Sequence, residues 1–292
     1  MILSRDDIEE IEQDLTSLCD LECTLCTRNY SHFDLPKPQK RNIDDVIKQL
    51  DTFTNLKRVY LAGQYSEPLL FPDIIKYLKY LKSRNIYVEL YSNASKLNIE
   101  LWKNIGKILT DTDQVHFTIC GSTQELHEKY RVNSKLENIL KNVKALKAIK
   151  NIDFCQFIRF GYNEMDEENV KKFNFSNHYT VDSEGDRFKN DKKKPDTDTR
   201  PLEKRDRLIK QLFKTIPKQG KILCKSIIDK KVYINVYGNI SACYMNAEYH
   251  PEEHFRDIFD YTDILDFKYP ECGLCEKRTK CFIESMKLDF VC

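Results

Sequence analysis

Cys19, Cys23 and Cys26 fall in the segment SLCDLECTLCTRNY with the spacing C-x3-C-x2-C. Thiolates on so short a loop can hold a metal or an iron–sulfur cluster. A 4Fe–4S cluster takes four thiolates, so three leave one iron without a protein ligand. An open coordination site can bind something reactive, as it does in catalytic zinc centres. The plainer alternative is a zinc knuckle completed by a distant residue, for which His32 is the histidine close by. The chain carries 11 cysteines, six of them between Cys224 and Cys292, with Cys120 and Cys155 standing alone. The number is odd and no export signal precedes the cysteines, so metal binding is a stronger expectation than a disulfide framework.

The elements that must position this loop alternate. NIDDVIKQLDTF (42–53) has apolar residues at helical spacing behind an Asn cap, and KRVYLAG (57–63) reads as a buried strand. FPDIIKYLKYLKSR (71–84) is an amphipathic helix with basic residues at its C-terminal end, where they suit the helix dipole. IYVELYS (86–92), QVHFTIC (114–120) and DFCQFIRF (153–160) read as strands; LNIELWKNIGKIL (97–109), LENILKNVKALKAI (136–149) and EMDEENVKKF (164–173) read as helices. Strand–helix alternation implies parallel strands joined by helical crossovers. It fits an open doubly wound sheet and a barrel equally.

Residues 182–206 are polar and charged and read as a linker or loop. The remainder, 207–292, opens with a helical RLIKQLFKTI and continues with KKVYINVYGNISACY (230–244), two short strands around Tyr-Gly-Asn. The expected organisation is a core domain over 1–181, the linker, and a small cysteine-rich domain over 207–292.

Composition narrows the function classes. Of 292 residues 41% are apolar, enough for a real core, and 32% are charged with a net charge of +1. This is not the basic footprint of a nucleic-acid binder. The opening MILSRDDIEEIEQDLTSL is acidic and lacks an apolar stretch, and no run approaches a membrane span. A soluble, cytoplasmic protein without nucleic-acid or membrane partners is expected.

C-x3-C-x2-C after the first strand of an alternating α/β chain resembles the radical S-adenosylmethionine (SAM) superfamily. The resemblance extends over roughly residues 10–175 and is carried by segments at successive strand ends. AGQYSEPLLFPD (62–73) is similar to the family's glycine-rich GGEP-type segment, with Gly63, Glu67 and Pro68 matching and Tyr65 and Ser66 replacing inner glycines. YSNAS (91–95) is similar to the STNG-type segment, and FTICGSTQELHEKYR (117–131) to the SIDGS…H…R segment. Leu25 stands before the third cysteine, where the family often has an aromatic residue.

The resemblance implies a partial (β/α)6 barrel, a 4Fe–4S cluster on Cys19, Cys23 and Cys26, and SAM chelated to its open iron. Reduction would then give methionine and a 5′-deoxyadenosyl radical. It further implies that Gly63 and Glu67 meet the SAM ammonium, that Ser92 and Asn93 bond the ribose, that Thr118 belongs to the same cofactor site, and that Arg131 pairs with the SAM carboxylate. A flavodoxin- or ferredoxin-type reductant is the implied partner.

The C-terminal cysteines resemble the auxiliary-cluster extensions called SPASM and twitch domains. Cys272-x2-Cys275-x5-Cys281 follows Cys224 and Cys243, but the last position of the full C-x2-C-x5-C-x3-C pattern is Ser285, beside Glu284. One auxiliary 4Fe–4S cluster is therefore expected. The twitch arrangement would use Cys224, Cys243, Cys272 and Cys275; the rival set is Cys272, Cys275, Cys281 and Cys292. A structural zinc site is the bland alternative.

Cys120 ends a strand where related segments usually have Asp. It is a candidate catalytic hydrogen-atom donor or, more plainly, a small buried hydrophobe, as Cys155 is expected to be. An auxiliary cluster suits oxidation, epimerisation or crosslinking of a peptide or of a small sugar- or aminocyclitol-like molecule. About 18 residues precede Cys19, which favours a small molecule, or a peptide whose leader is bound by a separate protein. A non-catalytic iron–sulfur carrier is the remaining alternative.

Overall fold

A computed structural model describes residues 4–24, 26, 39–63, 66–182 and 229–241. Strand β1 (Glu10–Gln13) is followed by helix α1 (Ile43–Asp51), β2 (Arg58–Leu61), α2 (Ile74–Ser83), β3 (Tyr87–Ser92), α3 (Ile99–Ile108) and β4 (Gln114–Ile119). Two helices come next, α4 (Gln124–Tyr130) and α5 (Leu136–Lys147), then β5 (Asp153–Arg159), α6 (Glu167–Val170) and β6 (Asn177–Asp182). The last elements are β7 (Lys231–Ile234) and β8 (Ile240–Ser241).

Local chemistry sets these boundaries. The Asn42 side chain caps α1 by accepting from the backbone N–H groups of Asp44 and Asp45 at 2.8 and 3.3 Å. Asn98 does the same for α3 through Leu101 N–H at 3.0 Å. Just past α2, Asn85 takes a left-handed conformation at φ 56°, a usual way for a helix to stop.

The described strands form one sheet in the order β6-β5-β4-β3-β2-β1-β7-β8. Among these strands every pairing is parallel except β7 with β8. From β1 to β6 the spatial order follows the chain order without reversal. A doubly wound sheet reverses at its switch point, so the topology is that of a barrel wall, consistent with a radical SAM partial barrel. The expected hairpin around Tyr-Gly-Asn is present, and its first strand lies beside β1: Glu10 pairs with Lys231 and Glu12 with Tyr233.

The two faces of the sheet differ. Val59, Leu61, Val88, Leu90, Val115, Phe117 and Phe157 alternate toward the helices and share one core with Val46, Leu50, Leu78, Trp102, Ile105 and Leu146. Trp102 lies 4.8 Å from Phe117, ring to ring. Burying each such side chain contributes roughly 1.5–3 kcal/mol. The intervening positions form a polar inner face. Arg58 donates to the Tyr60 hydroxyl, which donates to Glu10, both at 2.9 Å, and Lys231 pairs with Glu12 at 2.9 Å. His116 stacks on Tyr91 at 4.2 Å and meets the Tyr179 hydroxyl at 2.9 Å.

Three stretches depart from the reading of the sequence. The helix expected over 164–173 is a 3₁₀ turn from Gly161 to Asp166 followed by the single turn of α6. The short helix α4 and the edge strand β6 carry no clear apolar period and were not expected. Asp182, the first residue assigned to the linker, ends β6. The rest of the linker, the RLIKQLFKTI helix and Cys224, Cys243, Cys272, Cys275, Cys281 and Cys292 lie outside the described residues.

Candidate cofactor site

The cysteine loop leaves the C-terminal end of β1 and is anchored from several sides. At its base, Ser17 N–H donates to the Gln39 carbonyl and Gln39 N–H donates to Ser17 Oγ, both at 2.9 Å, so the two ends of the excursion meet. Farther along, Glu22 N–H reaches the Val132 carbonyl at 3.2 Å and Thr24 N–H the Tyr130 carbonyl at 3.0 Å. The loop is thereby laid along the segment that follows α4. Glu67 N–H donates to the Leu18 carbonyl at 2.7 Å, which fixes the loop to the end of β2. Cys23 is buried, and Cys19 and Cys26 are half-buried.

Burial pushes the Cys19 and Cys23 thiols above their ordinary value, opposed by Leu21 N–H at Cys19 and by the Arg131 guanidinium at Cys23. These thiols ionise readily only with a metal or a cation to hold the charge.

The end of β2 turns at Gly63, whose φ is +61°. A Cβ there would stand 2.4 Å from the Ser66 carbonyl oxygen, so the close turn requires glycine. Glu67 is buried at 4% exposure, and its carboxylate ties two strand ends together. It accepts from Ser92 Oγ at 2.8 Å, Asn93 N–H at 2.7 Å and Leu69 N–H at 3.2 Å. Burial lifts its pKa to about 7 against the pull of those donors.

Ser92 and Asn93 are also buried. Asn93 Nδ2 donates to Asp20 Oδ1 at 2.8 Å and lies 3.9 Å from Cys19 Sγ. A chain of contacts thus runs from Glu67 through Asn93 to the cysteine loop.

The end of β4 is fixed by His127, the histidine of the SIDGS…H…R-like segment, and by Asn163 and Asp166, which the sequence reading passed over. Cys120 N–H donates to His127 Nδ1 at 3.2 Å, so His127 Nε2 carries the proton and faces Ser134 Oγ at 2.9 Å. Burial takes the His127 pKa down to about 3, so the ring stays neutral. The Cys120 carbonyl accepts from Asn163 Nδ2 at 2.8 Å, and Asp166 accepts from Ser122 Oγ at 2.6 Å. The available signal was a set of polar residues in otherwise apolar surroundings.

Cys120 itself is fully buried, and burial pushes its thiol to about 12, with Arg131 working against that rise. Thr118, on the inner face, donates to Gln156 Oε1 at 3.1 Å.

Gly121 packs against the start of α4. A Cβ there would come within 2.5 Å of Leu126 Cβ and 2.6 Å of His127 N. Gly121→Ala is expected to cost about 1–3 kcal/mol through overpacking. The thermal midpoint should fall by about 2–4 °C per kcal/mol. A melt indistinguishable from the parent would show that α4 moves aside freely.

The structure therefore brings Cys19, Cys23, Cys26, Gly63, Glu67, Ser92, Asn93, Cys120 and Arg131 to the C-terminal ends of β1–β4, where parallel barrels carry their chemistry. Among the described residues no three His, Cys, Asp or Glu side chains are drawn together as a metal-binding group. The donor set nonetheless fits an iron–sulfur cluster: three thiols on one loop, with nitrogen donors from Asn93 and Arg131 beside them. Among the described residues, buried Thr24 Oγ1, Ser66 Oγ and Arg131 Nε, all on this loop or its backing, have no hydrogen-bond partner. Orphaned polar atoms of this kind are expected where a ligand completes a site.

No curated protein matches the chain. Among solved structures, Streptococcus suis SuiB bound to the precursor peptide SuiA is similar, with a TM-score of 0.64 and 14% identity over 97% of this chain and 73% of that one. A His-tagged anSMEcpe with bound AdoMet is similar with a TM-score of 0.56 and 14% identity, over 94% of this chain and 79% of that one. At such identities the likeness is one of fold. The family model of the Radical SAM superfamily matches residues 14–175, more than half of the sequence, and the chain belongs to that superfamily.

Proposed function

We propose that this chain holds a 4Fe–4S cluster on Cys19, Cys23 and Cys26, binds SAM across the ends of β2–β4, and removes a hydrogen atom from an organic substrate. The observation that carries this reading is the convergence of three strand-end segments on one three-cysteine loop. The cluster, when bound, supplies the electron that splits SAM into methionine and a 5′-deoxyadenosyl radical. The residues bind and orient. Arg131 is a fixed cation for the SAM carboxylate. The Glu67 carboxylate accepts three bonds of the about four it can accept, which leaves a lone pair for the ammonium beside the Gly63 backbone. Ser92, Asn93 and Thr118 supply polar groups for the sugar. Cys120, buried at the end of β4, is a hydrogen donor only if the substrate reaches it; otherwise it packs.

The substrate is a peptide or a small polar molecule, and the outcome oxidation, epimerisation or crosslinking. The peptide branch draws support from SuiB, solved with the precursor peptide SuiA, and from anSMEcpe, solved with the Cp18Cys peptide. A flavodoxin- or ferredoxin-type protein is the proposed reductant. The cysteine-rich C-terminal region is proposed to hold one auxiliary 4Fe–4S cluster.

Anaerobically reconstituted protein given SAM and dithionite is expected to form 5′-deoxyadenosine and to carry about eight irons per chain, two four-iron clusters. Cys275→Ala should remove about four of them, since Cys275 belongs to both candidate ligand sets. Loss on Cys224→Ala but not on Cys292→Ala would select the twitch set, and the reverse would select its rival. Iron without deoxyadenosine would leave a carrier, and zinc in place of the auxiliary iron would leave a structural module.

A further inference from the structure

We infer that Asn93, beyond any contact with the ribose, tunes the cluster on the cysteine loop by donating an N–H to the Cys19 sulfur. This rests on the cluster reading above. Asn93 is held so that its carboxamide has little freedom. Its backbone N–H is bound by Glu67 Oε2 at 2.7 Å, and its Oδ1 accepts from Ser95 N–H at 2.9 Å. One Nδ2 hydrogen goes to Asp20 Oδ1 at 2.8 Å, and Nδ2 is 3.9 Å from Cys19 Sγ.

Asn93 is 6% exposed, so its amide is shielded from water. One-electron reduction adds negative charge that the cluster sulfurs share, and a fixed N–H is worth more in the reduced state. Hydrogen bonds to sulfur are among the features that set cluster potentials. Glu67 is then a positioning residue, holding the donor without touching the cluster.

The test is the reduction potential of the cluster in the absence of SAM, where a residue serving only the ribose has nothing to bind. Reconstituted full-length protein is titrated while following the electron paramagnetic resonance signal that later SAM addition perturbs, which separates this cluster from an auxiliary one. Asn93→Ala removes the amide. Asn93→Asp keeps the shape and the acceptor for Ser95 but replaces the donor with an acceptor. At a fixed poise the ratio of reduced to oxidised cluster should fall about two- to tenfold in Asn93→Ala, the range of one modest hydrogen bond, and further in Asn93→Asp.

In the parent protein labelled with 15N-asparagine, the reduced cluster should show a 15N coupling. An unchanged ratio in either variant that carries the cluster, or a parent without the coupling, would overturn the inference. A parent that takes up no iron on the loop would overturn the cluster reading instead.

Discussion

Replacing Cys19, Cys23 and Cys26 together by alanine is expected to abolish SAM cleavage and to lower the iron content by about four per chain, one four-iron cluster. The prediction separates chemistry from folding. The loop is held mainly by backbone groups, through Glu22 to Val132, Thr24 to Tyr130 and Glu67 to Leu18, and these survive the loss of three thiols. Circular dichroism should therefore be unchanged while 5′-deoxyadenosine falls below detection. Any surviving deoxyadenosine in the triple variant would mean that another part of the chain carries the reaction.

The second large effect belongs to Arg131. It closes α4, with its N–H on the His127 carbonyl at 3.1 Å and its carbonyl accepting from Ser134 N–H at 2.9 Å. The backbone around the guanidinium is thus fixed before any ligand arrives. A hydrogen bond to a charged group is worth about 1.5–3 kcal/mol, or roughly ten- to a hundredfold in affinity. Arg131→Ala should weaken SAM binding by that factor with iron content intact. Arg131→Lys should recover little, because an ammonium cannot match a planar fork. Equilibrium binding of SAM to reconstituted protein decides the matter. If affinity holds but iron is lost, Arg131 serves the Cys23 thiolate and the SAM carboxylate must be met elsewhere.

The strands that build the wall were legible because each buries one face, and KRVYLAG, IYVELYS, QVHFTIC and DFCQFIRF all show it. β6 was not, since an edge strand reading NHYTVD offers only Tyr179 and Val181 as an alternating apolar pair. The one-directional strand order, which decides for a barrel wall, is a property of pairing and leaves no local trace. The same holds at the site. The cysteine spacing and the strand-end segments could be read directly, whereas the parts of His127, Asn163 and Asp166 emerge only when the ends of β4 and β5 are side by side. Glu67 shows the limit most clearly: its type and place suggested a partner for an ammonium, and its surroundings reveal that it also joins β2 to β3.

Strand β1, from which the cysteine loop springs, is flanked by β2 on one side and β7 on the other, and the contact between Glu9 and Lys230 spans 221 positions of sequence. At ribosomal speeds of about 5–20 residues per second, that separation amounts to roughly 10–40 s of synthesis. During this interval the nascent β1 has one bare edge, open to strands of other chains. The loop that is proposed to receive the cluster therefore acquires its complete support late. Iron delivered to the growing chain would meet a half-framed site, and the wall beneath that site is finished only when β7 emerges and docks.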